Sequence, residues 1–412
     1  MDDKASFRVL LRSSLVPLLL LALLALAYGV APSQFPATAP AAGLPFNGVS
    51  AVEAGWNSRC AITTGGAAAC WGAGIYGQLG NGDIADALYP NEVAGLDQGV
   101  VEISAGADFA CARVEVSGEV TEVRCWGANW TGNLGNGTTT SSLTPLLALS
   151  GHITGLSAGL GHVCAIMDGV VWCWGGNASG ELGIGHTGAP VATPVSLDLP
   201  AQKVVAGHHH TCALLASGGV RCWGDGRSGQ LGDRRAGSMN PVPTDVIGLG
   251  GPAVDLSAGG GHTCALLDDG GVQCWGANWW GQLGDGTTTT RHSPVYTHTG
   301  PVSAISAGSS HTCAVTTAGA AVCWGDNAGG QLGDGGWRDR SEPAPVLGLE
   351  RGVLAISAGS AHTCAVLEGG EAACWGAGGP LLGVGSTEPD VGTLQVVLRP
   401  ATAATLVSRP AE

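Results

Sequence analysis

Ala253-Val254-Asp255-Leu256-Ser257-Ala258-Gly259-Gly260-Gly261-His262-Thr263-Cys264-Ala265-Leu266-Leu267-Asp268-Asp269-Gly270-Gly271-Val272-Gln273-Cys274-Trp275-Gly276 is the stretch whose reading decides the fold. Its apolar residues fall in three short runs, 253–256, 263–267 and 272–275, separated by Gly- and Asp-rich breaks. Short β-prone runs bounded by turn residues read as strands. A polar loop, 276–293, follows, and Pro294-Val295-Tyr296 supplies a fourth short strand. Asp268 to Gly271 is the turn of the hairpin that the second and third strands form.

The same unit recurs along the chain. Cys-Trp-Gly stands at Cys70, Cys125, Cys173, Cys222, Cys274, Cys323 and Cys374. One further Cys precedes each: Cys60, Cys111, Cys164, Cys212, Cys264, Cys313 and Cys364, so all 14 are used. The repeat is about 51 residues long, and a period of that size marks radial or solenoid repetition. Seven units of four strands predict an all-β seven-bladed β-propeller with four short antiparallel strands per blade. Composition agrees. With 70 Gly and 21 Pro among 412 residues and only 12% charged, a helical bundle or coiled coil is excluded. Hydrophobic residues at 45%, with 13 Trp, argue against disorder. The net charge is −15 and Lys occurs only at Lys4 and Lys203, so no basic cluster exists to hold nucleic acid.

The Cys spacing tests the hairpin. Directly opposed residues of an antiparallel pair have a constant index sum. A spacing of ten (Cys212, Cys222) leaves Ala216-Ser217-Gly218 as the turn, with Gly in the left-handed place. A spacing of nine (Cys164, Cys173) leaves Asp168-Gly169, the preferred two-residue turn. A spacing of fourteen (Cys111, Cys125) adds two residues to each strand, and the side-chain period of two keeps both Cys on one face. Seven cross-strand disulfides are therefore expected: Cys60–Cys70, Cys111–Cys125, Cys164–Cys173, Cys212–Cys222, Cys264–Cys274, Cys313–Cys323 and Cys364–Cys374. Buried free thiols would not need strict pairing, and the spacing is too wide for a zinc knuckle.

The N-terminus differs from the rest. Lys4, Arg8 and Arg12 precede a Leu/Ala-rich run from Leu15 to Ala31, and Pro- and Ala-rich sequence follows. This reads as a secretory signal, residues 1–31, cleaved after Ala27 or Ala39 or else retained as a signal anchor. Residues 32–47 read as a linker, 48–398 as the propeller and 399–412 as a tail. Paired Cys and an export signal together place the protein outside the cytosol: extracellular, periplasmic or at the cell surface.

The fullest units, Ala-Gly-x-x-His-Thr-Cys-Ala-Leu, Gly-Gly-Val-x-Cys-Trp-Gly, Asn-x-x-Gly-Gln-Leu-Gly-Asp-Gly and Pro-Val, resemble the regulator of chromosome condensation repeat over the whole propeller region. That resemblance implies a seven-bladed propeller, in a family that holds GTPase exchange factors, ubiquitin-ligase and photoreceptor propellers, and a secreted bacterial inhibitor of β-lactamase. Cys pairs and an export signal look like the secreted bacterial type. Three repeats depart from the pattern: Ser58 and Phe109 stand where five others have His, and Pro380-Leu381-Leu382-Gly383 replaces the Gly-Gln-Leu-Gly loop.

Candidate site residues follow from irregularity. The loops after the first and third strands leave a blade at the same end. Trp56, Trp130, Trp279, Trp280 and Trp337 fall in those loops and Phe109 beside them, whereas Trp172 falls in a strand. Aromatics gathered on one rim suit a protein-binding face, and the resemblance implies the same use. The seven Cys-Trp-Gly tryptophans are expected to be packing. His162, His210, His262, His311 and His362 recur regularly, which favours a structural bond from each ring to the backbone of its own blade. His208-His209-His210 and the Asp-Gly loops at Asp285 and Asp334 do not make up a metal site. Asn129, Asn136 and Asn177 are glycosylation sequons by pattern. No nucleophile elbow, zinc-protease or phosphate-loop motif occurs. The reading is a monomeric, exported, disulfide-stabilised scaffold or inhibitor without cofactor or metal, whose partner is a protein or cell-surface ligand. A guanine-nucleotide exchange factor is the alternative, and an extracellular lyase or glycosidase a further one.

Overall fold

A computed structural model describes residues 44–188, 193–195, 201–235, 237–378, 382–383 and 391–399. The signal segment 1–31, most of the 32–47 linker, residues 400–412 of the tail and Pro380-Leu381 lie outside them. Among the described residues no helix is long and apolar enough to cross a membrane. The described chain forms seven four-stranded antiparallel sheets, each in the order first, second, third, fourth strand, so the expected propeller is observed. Blade 5 shows the plan: Ala253–Ala258, His262–Leu267, Val272–Gly276 and Arg291–Tyr296.

The hairpins have the expected registers. Cys212 faces Cys222, Cys164 faces Cys173 and Cys111 faces Cys125. All seven disulfides are present, every Cα–Cα distance lies between 4.0 and 4.1 Å, and no free Cys is found among the described residues. Both turn residues of repeat 3, Asp168 and Gly169, have positive φ (52° and 77°), as a type I′ turn requires. In repeat 2 the second and third strands extend to Phe109–Ser117 and Val120–Gly127, the predicted lengthening.

Blades are joined by bonds between repeats. The Cys-Trp-Gly tryptophans are wholly buried wedges (1% exposed or less). The Trp275 indole N–H donates to the Gln230 carbonyl of the preceding blade at 2.9 Å, and Trp126, Trp174, Trp223, Trp324 and Trp375 do the same at their own seams. Four of the five histidines are structural, but not through their own blade's backbone; the fifth, His362, has no partner for its Nε2 among the described residues. The Nε2 of His162, His210, His262 and His311 bonds the hydroxyl of Thr211, Thr263, Thr312 and Thr363 in the next blade, at 2.8–3.0 Å. Each of those hydroxyls donates to the loop carbonyl that the Trp uses, as Thr263 does to Gln230 at 3.0 Å. The Gly of Ala-Gly-x-x-His makes room for the ring. A Cβ on Gly259 would lie 2.4 Å from His262 Cε1 and 2.3 Å from the Gly308 carbonyl oxygen.

Ring closure uses both ends of the propeller. Leu44–Pro45 pairs antiparallel with Leu398–Arg399. In blade 6, Val346 N–H bonds the Ala321 carbonyl and Ala321 N–H bonds the Leu349 carbonyl. In blade 7, Val397 and Ala372 make the first of these bonds, and Phe46 supplies the carbonyl for the second. Phe46, 4% exposed, thus stands in for the second apolar residue of a connector that chain topology splits.

Candidate binding face

At one end of the propeller the first-to-second and third-to-fourth strand loops lie together: Ala277 N–H bonds the Gly261 carbonyl, and Thr131 Oγ1 bonds the Gly161 carbonyl. The long loop is folded around its leading Asn. Asn278 accepts from Leu283 N–H at 3.0 Å and donates to Asp285, Thr287 and Thr289. That frame fixes which residues face outward. The two positions after the Asn carry Trp130-Thr131 and Trp279-Trp280 in blades 2 and 5, and in blade 1, where Gly74 replaces the Asn, Ile75-Tyr76.

Five of the six predicted aromatics are exposed on these loops: Trp56 at 41%, Trp130 at 61%, Trp279 at 65%, Trp280 at 46% and Trp337 at 52%. The sixth, Phe109, is a correction. It is 2% exposed, because it occupies the buried His place of its blade, and it packs in one apolar cluster with Val163 where regular blades have His and Thr. Trp130 meets Tyr76 edge-on at 4.8 Å between ring centroids, which joins blades 1 and 2. Trp56 stacks on His208 of blade 4 at 5.4 Å and 12°. Sequence reasoning missed Ile75 and Tyr76, 62% and 39% exposed. Aligning Gly-Gln-Leu-Gly in repeats 1 and 5 would have placed them opposite Trp279 and Trp280.

The other candidates resolve by contact. Asp285 bonds Thr287 and Arg291; burial pushes its carboxyl up, but those bonds outweigh it and hold it below the usual range. Asp334 is likewise taken up by Gly336, Arg340 and Asn327. His208, His209 and His210 diverge, towards Ser309, Glu181 and Thr263 respectively. No cluster of three His, Cys, Asp or Glu fit for a metal occurs among the described residues. Asn129 and Asn177 are buried by their own loops.

The innermost strands surround a channel of about 310 Å³. Ser104, Ser157, Ser257, Ser306 and Ser357 line it, each accepting the amide N–H of an Ala in the next blade at 2.9–3.0 Å. Blade 1 has Glu53 in this place. Its carboxyl accepts from Ser357 Oγ at 3.2 Å and from the Ala105 amide. Burial pushes it up to about 7, with Glu102 adding to the rise, against the two hydrogen bonds and Lys203.

Residues 116–408 match the RCC1-like domain, and residues 66–113 match the regulator of chromosome condensation (RCC1) repeat. The ultraviolet-B receptor UVR8 of Arabidopsis thaliana is 35% identical over 125 residues, which are 29% of this chain and 28% of the receptor. The chain thus matches little more than a quarter of that relative's length. Human WBSCR16 superposes with a TM-score of 0.68 at 23% identity, over 78% of this chain and 86% of that one. Prp20p of Saccharomyces cerevisiae does so with a TM-score of 0.68 at 22% identity, over 87% and 88%. At that identity both likenesses speak for the fold alone. With the repeat match covering most of the sequence and seven blades in the structure, the chain belongs to the RCC1-like domain family.

Proposed function

We propose that this chain is an exported, disulfide-stabilised propeller that binds a protein partner through its aromatic loop face. One observation carries the reading: apart from Trp172, half-buried in a strand, the Trp residues divide into two classes. The repeat tryptophans are at most 1% exposed, whereas five irregular ones are 41–65% exposed at one end. Large rigid aromatics left in water at one end are the usual anchors of protein interfaces. Export is supported by seven disulfides, since such bonds persist in oxidising compartments. An inhibitor is the form of binding that the secreted members of the resemblance suggest. Prp20p is described by its binding to Gsp1p and histones. An exchange-factor role here would need the chain to act on a GTPase in a reducing compartment, against the disulfide count.

The test is capture from the extracellular fraction with wild type and with a Trp279→Ala/Trp280→Ala variant. Substitutions this exposed should leave the unfolding free energy within about 0.5 kcal/mol of wild type. Loss of an interface anchor should weaken a captured partner by roughly thirtyfold. Equal recovery by both proteins would return these Trp to loop packing. Nucleotide release from a small GTPase on addition of the oxidised protein would replace the reading by the exchange-factor one.

A further inference from the structure

The channel carries features that the binding face does not use. At its loop-side mouth, the residue after each Ala-Gly forms a ring: Trp56, Ala107, Leu160, His208, Gly260, Ser309 and Ser360. Most of these are small. Trp56 and His208 reach across from blades 1 and 4 and stack, and His208 Nε2 bonds Ser309 Oγ at 3.1 Å, so the mouth is capped. Below the cap the wall is hydroxyl-lined. Each channel Ser that accepts an amide N–H has its own hydroxyl proton to donate, which Ser357 gives to Glu53.

Three charged side chains line this space, Glu53, Glu102 and Lys203, and two of them have an ion-pair partner. Lys203 is paired with Asp255, and Glu102 with Arg113 at 2.9 Å. Glu53 is different: its contacts are the Ser357 hydroxyl and the Ala105 amide, and no ion pair reaches it among the described residues. Five other blades hold Ser at this place, and blade 4 holds Val205. The fold therefore does not require a carboxylate there, and one held on the half-buried channel wall without an ion-pair partner is costly unless a cation meets it.

We propose that the channel is a binding chamber for a small primary ammonium compound, whose charge is met by the Glu53 carboxylate. The volume suits a molecule of that size, the serine hydroxyls offer donors to its polar atoms, and the Trp56 ring offers an aromatic surface at the mouth. The groups acting on Glu53 are the Ser357 hydroxyl, Glu102, Lys203 and the Ala105 amide, and His208 stands at the channel mouth. Burial holds His208 down to about 4, so it stays neutral over the relevant range. An ammonium ligand selects the ionised carboxylate. Affinity therefore falls about tenfold per pH unit below pH 7 and levels off above it.

The experiment is a calorimetric titration of the oxidised full propeller with n-butylamine, a cation at these pH values, and with 1-butanol as its neutral counterpart. Butylammonium should bind at pH 8, weaken more than tenfold by pH 5.5, and outcompete butanol by at least tenfold. Glu53→Ser installs the residue of five other blades, so it should fold with an unfolding midpoint no lower than wild type and lose butylammonium binding by at least tenfold. Glu53→Gln, closer in shape, should lose it too. Equal heats for amine and alcohol, or unchanged amine binding in either variant, would overturn the proposal.

Discussion

The seams between blades 3 and 7 and the seams around blade 1 solve the same packing problem with different chemistry. From blade 3 to blade 7, a buried neutral His meets a Thr hydroxyl, which meets a loop carbonyl also held by Trp. Around blade 1 the pattern is replaced piece by piece. Phe109 faces Val163, Ser58 and Ala110 hold the next places, and His362 meets Arg59 instead of Thr. Arg59 is 0% exposed and bonds the Ala377 carbonyl at 3.3 Å, while its Nε and Nη1 have no partner among the described residues. The difference teaches that one seam device is enough to build the ring by repetition. The join between first and last blade instead rests on a strap, residues 44–46, threaded from the other end of the propeller.

Acid should separate the two regions most strongly. Burial lowers His162 to about 4 and His210, His262 and His311 to about 3, against 6.5 for a free imidazole. The unfolded chain takes up protons below 6.5 and the folded chain does not, so stability is lost as pH falls from 6.5 towards those values. Each His contributes a loss of about 1.4 kcal/mol per pH unit. Glu53 has the opposite sign. Raised to about 7, it favours folding as pH falls from 7 to 4.5, but it is one group against six, since burial lowers His208 and His362 as well. Amide hydrogen exchange at pH 5 and pH 7 should show protection falling first in blades 3 to 7. Uniform loss across all blades would mean that the His seams are not local weak points.

Next in size is the strap. Phe46 lies edge-on to Trp71 with ring centroids 6.2 Å apart and is 4% exposed. Phe46→Ala should lower stability by about 3–5 kcal/mol, as for other buried aromatics. Leu349→Ala removes the equivalent residue of an unbroken connector, and should cost about 2–5 kcal/mol. Urea unfolding of both variants measures the pair. A cost under about 1 kcal/mol for Phe46→Ala, beside a full cost at Leu349, would show that the ring closes without its strap.

How much of this could be read in the sequence depended on distance along the chain. The hairpin lies within ten residues, so Cys212 and Cys222, and the Asp168-Gly169 turn, followed from the side-chain period and turn chemistry. The seam bonds link residues about fifty apart in different repeats, and only their regular recurrence was visible. His262 was therefore assigned a structural role but the wrong acceptor. Phe109 was read as a surface aromatic because it broke the pattern. Its position in the repeat, that of a buried His, was the better guide. Trp130 and Trp279 were legible because their loop is polar and Gly-rich. The Trp56–His208 stack was not, since it joins blades 1 and 4 across the channel.

The smallest effect should come from repairing the irregular seam. Arg59→Thr places the repeat's hydroxyl beside His362, whose ring burial keeps neutral and whose proximity to Arg59 holds it lower still. Burial also pulls the Arg59 guanidinium down to about 9, the mark of a cation that its surroundings do not favour. Removing it relieves the cost of a buried charge and two orphan nitrogens, but leaves a void where the long side chain lay. The two terms oppose, and orphaned polar groups of this kind cost about 1–3 kcal/mol each. A net gain of about 1 kcal/mol is expected, read as a higher urea midpoint with an unchanged slope. A lower midpoint would mean that the lost packing of the long side chain outweighs the relief of the buried charge, and that this seam is built around Arg59 rather than merely tolerating it.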